Sequence, residues 1–106
     1  MSIIFTPPRL INKGTGQTPA SATANDSSGT IVAANENRVG ILLTNIGKND
    51  AWGSETEDAV ISAGWLLGKN GGNILLSASL VGTGIIKAIT EAGKSTTITY
   101  QEFNKS

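Results

Sequence analysis

Val39-Gly40-Ile41-Leu42-Leu43-Thr44-Asn45 alternates, placing Val39, Ile41 and Leu43 on one face. A two-residue period of this kind belongs to a half-buried β-strand and not to a helix. Shorter runs on both sides read the same way: Thr30–Ala34 upstream, then Ala51–Ser54, Ala59–Ile61, Trp65–Leu67, Asn73–Ser79, Ile85–Thr90 and Ser95–Glu102. Turn residues separate them. Asn70-Gly71 is a strong hairpin signal, because both residues tolerate positive φ, so Asn73–Ser79 is expected to return against Trp65–Leu67. No segment sustains a 3.6-residue period. Short strands with frequent turns indicate an all-β fold, a small antiparallel β-sandwich or a jelly-roll-like barrel.

Composition narrows the chemistry. The 106 residues are 39% hydrophobic, 15% charged and 5% aromatic, with no His and no Cys. That length suits one domain, able to bury roughly 65% of its unfolded surface. Without His there is no Ser-His-Asp triad, and without Cys no thiol nucleophile, disulfide or Cys-ligated zinc. The expectation is a protein that is not an enzyme and carries no cofactor. Eight Lys and Arg balance eight Asp and Glu, which argues against a nucleic-acid partner. The apolar run at the start is three residues, Ile3-Ile4-Phe5, far below a secretory h-region of ~7 to 15. No window reaches the ~18 apolar residues of a membrane span, so no membrane partner is expected.

The composition changes near residue 30. From Thr6 to Ser28 only Leu10 and Ile11 are large and apolar, and Pro7, Pro8 and Pro19 all fall there. Such a stretch buries too little apolar area to offset its ordering entropy. The reading is an extended N-terminal arm over residues 1–29 and a β-sandwich over residues 30–106. Ile3, Ile4 and Phe5, followed by Pro7, Pro8 and Arg9, are candidate partner-binding residues at the far end of that arm.

Within the sandwich, Trp52 and Trp65 are the only tryptophans. Trp65, beside Leu66-Leu67, reads as core. Trp52, beside a loop, is a candidate partner-binding residue, either as an interface anchor or as a sugar-stacking platform. Asp50, Glu55, Glu57 and Asp58 place four carboxylates in nine residues, a conceivable calcium site but without the spacing of an EF-hand. A solvated acidic loop is the favoured reading. Arg38 has the ordinary role of pairing with a carboxylate or binding loop carbonyls, and a partner contact is the alternative. Gly14-x-Gly16 and Gly82-x-Gly84 lack the Lys and the strand-to-helix setting of phosphate loops and read as turns.

Ala34-Asn-Glu-Asn-Arg-Val-Gly-Ile-Leu-Leu-Thr-Asn45, Gly64-Trp-Leu-Leu-Gly-Lys-Asn-Gly-Gly-Asn-Ile-Leu-Leu76 and Gly82-Thr-Gly-Ile-Ile-Lys-Ala-Ile89 occur in that order, followed by Tyr100-Gln-Glu102. Together they resemble small β-sandwich structural proteins of tailed-bacteriophage virions, over about residues 30 to 103. The resemblance implies a virion component, assembled in the bacterial cytoplasm. Its expected role is that of a capsid decoration or cement protein bridging subunits of the major capsid protein. A homotrimer suits the local three-fold positions of an icosahedral shell. A head-tail connector, tail or spike component, and a carbohydrate-binding module for host attachment, are the alternatives.

Overall fold

The computed structural model describes residues 14–106. The alternating stretch becomes β4 (Arg38–Asn45), an inner strand of one of two antiparallel sheets. β9 (Thr96–Lys105) pairs with one side of β4, and β7 (Asn73–Ser77) with the other. Beyond β9, two short strands share its far side: β2 (Ala20–Ala24) along Thr96–Tyr100 and β1 (Gly14–Gly16) along Phe103–Lys105. The second sheet runs β3 (Gly29–Val32), β8 (Ile86–Thr90), β5 (Ala51–Glu55), β6 (Trp65–Leu67).

With β1 and β2 counted as one edge, the strand orders are 2-9-4-7 and 3-8-5-6. That order is the double-sheet jelly roll, so the all-β sandwich expectation holds down to its topology. The inner faces meet on Val32, Ile41, Leu43, Leu67, Leu76, Ile86 and Ile98. Each such side chain contributes roughly 1.5 to 3 kcal/mol on full burial. Ala24, Ala51 and Ala88 fill the narrower places between them.

Five expectations need correction. The first is the arm boundary. β1 and β2 lie within the stretch assigned to the arm, yet they are paired to β9. Ala22 and Ala24 supply little apolar area but fit against the core, and five consecutive rungs to β9 supply the rest. The connection to β3 is also tied down: Asn25 accepts from Thr90 N–H, and Asp26 from Gly93 N–H. The sandwich therefore includes residues 14–29.

Gly14-x-Gly16, expected as a turn, is strand β1. A Cβ at Gly14 would sit 2.8 Å from Phe103 Cβ, and one at Gly16 would sit 2.9 Å from Gln101 Nε2. These glycines allow close approach rather than a bend.

The Asn70-Gly71 turn exists, with φ of 60° and 111°, but it closes no hairpin. β6 and β7 belong to different sheets. Asn45 holds the turn from both sides: its N–H donates to Gly72 O, and its carbonyl accepts from Gly71 N–H. The chain is thereby handed from one sheet to the other.

Ala59–Ile61, expected as a strand, is loop. Ala59 N–H donates to Ser28 Oγ, and its side chain is buried, while Val60 and Ile61 face solvent. Positive φ at Thr56 and Ser62 bends the chain on either side. Finally, a register shift between Arg38 and Gly40 puts Arg38, not Val39, in the interior.

Candidate functional site

β4 ends in a buried polar residue at each terminus. At its start, the Arg38 side chain is fully enclosed. Its Nε donates to Glu102 Oε2 at 2.9 Å, Nη1 to Gly82 O and Gly84 O, and Nη2 to Ala33 O. Glu55 lies 3.9 Å away and accepts from Gly84 N–H. Asn35 completes the cluster. Its Nδ2 donates to Asn104 Oδ1 and Glu102 Oε2, and its Oδ1 accepts from Asn37 N–H. One guanidinium thus ties four pieces of chain together: the β3–β4 loop, the β7–β8 loop, the end of β5 and the end of β9. The planar fork of Arg reaches several carbonyls and a carboxylate at once, which a Lys cannot do. The expectation that Arg38 pairs with a carboxylate and binds loop carbonyls holds, and Gly82-x-Gly84 supplies two of those carbonyls.

The far end of β4 mirrors this. Asn45 is fully buried. Its Nδ2 donates to Asn49 O and Leu67 O, and its Oδ1 accepts from Gly47 N–H and Thr96 Oγ1. Sequence reasoning missed Asn45, although an Asn closing the strongest strand before Ile46-Gly47 was the available signal. A Cβ at Gly47 would collide with Thr96 Oγ1, so Gly is required there for close approach.

The acidic residues are not brought together. Asp50 Oδ1 accepts from Lys69 N–H, Glu55 turns toward Arg38, and Asp58 pairs with Lys87 Nζ at 2.9 Å. Among the described residues no group of three or more acidic side chains could hold a metal ion.

The two tryptophans part company. Trp65 points inward and packs against the core, with its ring over Gly53. A Cβ at Gly53 would collide with ring carbons of Trp65. Gly53→Ala is therefore expected to displace the indole, costing about 1 to 3 kcal/mol with a red-shifted Trp emission, measurable by urea titration followed by fluorescence.

Trp52, one residue earlier on β5, faces outward. Its direct neighbours across the sheet are Leu66 on β6 and Ile89 on β8. Trp52 and Ile89 are half-buried and Leu66 is 53% exposed. The three make an apolar rung across the outer face of the second sheet. Lys87 and Ser54 occupy the next rung on that face. The sequence singled out Trp52 but not Leu66 or Ile89, which only the strand pairing places beside it. On the outer face of the other sheet, an open hollow of about 120 Å³ is lined by Pro19, Leu42, Thr44, Thr99, Tyr100 and Gln101.

Ile3, Ile4, Phe5, Pro7, Pro8 and Arg9 lie outside the described residues. No helix among the described residues is long and apolar enough to cross a membrane. No family model matches the chain, and no curated protein matches it.

Proposed function

We propose that the chain is a non-enzymatic structural protein of a tailed-bacteriophage virion, a capsid decoration or cement protein that bridges capsid subunits and stabilises the shell. The observation that carries this reading is the Leu66–Trp52–Ile89 rung, a flat apolar contact surface on a sheet face. Tryptophan is among the residues that most often carry binding energy between proteins, with the contacts around it serving to exclude water. The jelly-roll order supports the class by analogy only, since viral capsid proteins, lectins and cupins share it. The residue-level resemblance adds to this. Within its Asn35-x-Asn37-Arg38 element, Arg38 ties β9 of one sheet to β5 and to the chain flanking β3 and β8 of the other. A rigid body with contacts to more than one capsid subunit opposes their separation, and many copies add through avidity. The chain acts as a symmetric homo-oligomer beside the major capsid protein.

Trp52→Ala is expected to weaken binding of the purified chain to undecorated particles by ~30-fold or more, the effect of a ~2 kcal/mol hot spot. Its melting midpoint should stay within a few degrees of the parent. Co-sedimentation with particles measures the first and a thermal melt the second. Unchanged co-sedimentation would remove the rung from the interface.

The outward, half-exposed indole favours one second reading, a sugar-stacking platform for host-surface carbohydrate. Quenching of Trp emission by such glycans, in a chain that does not sediment with particles, would select it.

A further inference from the structure

A sheet edge offers unpaired N–H and C=O groups to any passing strand, and proteins blunt it with shortness, charge, Pro or bulges. Three of the four edges of this sandwich are blunted. β6 is three residues long. β3 carries a register shift between Thr30 and Val32. The outermost position of the β4 sheet is divided between β1 and β2, with Pro19 in the break. β7 has none of these guards. It holds an unbroken register of five rungs to β4, and among the described residues it pairs with β4 alone. Residues 70 to 86 contain neither a charge nor a Pro. Leu75, at 58% exposure, and Leu42, its partner on β4, form an apolar strip beside the open edge.

The sequence of β7 reads alike in both directions. Asn73-Ile74-Leu75-Leu76-Ser77 is polar, apolar, apolar, apolar, polar. We propose that β7 is a homotypic docking edge, on which a second copy of this chain adds its own β7 antiparallel across a two-fold axis centred on Leu75. In that register Asn73 faces Ser77 of the second copy, Ile74 faces Leu76, and Leu75 faces Leu75. Each rung matches polar with polar or apolar with apolar, and no charge is buried. Such an isologous contact closes at two copies and joins the two β4 sheets into one continuous sheet. A foreign strand lacks this built-in complementarity. The pairing replaces the three-fold arrangement expected from shell symmetry, and it stands independently of the virion reading.

Two substitution pairs test the register, and both positions are exposed. Asn73→Lys with Ser77→Lys opposes like charges at both outer rungs. Asn73→Lys with Ser77→Glu opposes unlike charges there. Sedimentation of the full chain across the micromolar range should show a dimer for the parent. The like-charged variant should dimerise about tenfold or more weakly than the unlike-charged one. As a check that does not rely on those variants folding, Leu75→Cys in this cysteine-free chain should form an intermolecular disulfide under mild oxidation. The control Leu80→Cys, more exposed at 74%, should do so far more slowly. A monomeric or trimeric parent, equal weakening of both charge variants, or equal cross-linking at 75 and 80 would overturn the proposal.

Discussion

Arg38→Ala is expected to lower the melting midpoint by more than about 10 °C, or to leave the chain unfolded. Removing one partner from a buried charged network costs about 3 to 5 kcal/mol, and each kcal/mol shifts the midpoint of a domain this size by about 4 to 8 °C. The cost is high because the losses fall together. Glu102, 18% exposed at its side chain, loses its guanidinium, and the carbonyls of Ala33, Gly82 and Gly84 lose their donors. Total stability of ~5 to 15 kcal/mol leaves little margin for such a loss. Arg38→Lys keeps the charge but not the fork, so it should fall between alanine and the parent. Calorimetry of the three proteins gives the order.

Asn45→Ala is the second large effect, expected at about 3 to 5 kcal/mol. Its amide satisfies two carbonyls, a main-chain N–H and the Thr96 hydroxyl in a site without solvent. A buried polar group left unpaired costs about 1 to 3 kcal/mol, and partial relaxation limits the sum. Asn45→Asp should do little better, because an ionised carboxylate accepts only and cannot donate to Asn49 O or Leu67 O. Urea titration should show a lower midpoint at an unchanged slope, since the folded state is weakened without a change in the surface it exposes on unfolding.

Both residues close the strand from which the fold was legible. Alternation in β4, and the β-rich runs that became β5, β8 and β9, reported a property local to each strand: one face apolar, the other not. What lay outside that property was misread. Residues 20–24 look like an arm because Ala, Ser and Thr carry little apolar area, but their stability in the sheet comes from main-chain pairing with β9, which side-chain composition does not record. The Asn70-Gly71 turn was correctly seen as a turn, but its partner was not. The contacts that send the chain to the other sheet are main-chain bonds from Asn45, a residue 25 positions earlier. Of the candidate site, Trp52 was visible as an aromatic near a loop, and Arg38 as a strand-opening cation. Leu66 and Ile89 were not visible, because two residues become neighbours on a sheet face only through register, and register is a long-range property.

The proposed role as a shell-decorating protein is tested most directly by counting copies of the chain, relative to the major capsid protein, in purified virions by quantitative mass spectrometry. The account predicts on the order of hundreds of copies per particle, as the repeated symmetry of an icosahedral shell requires. A handful of copies, or none, would contradict it.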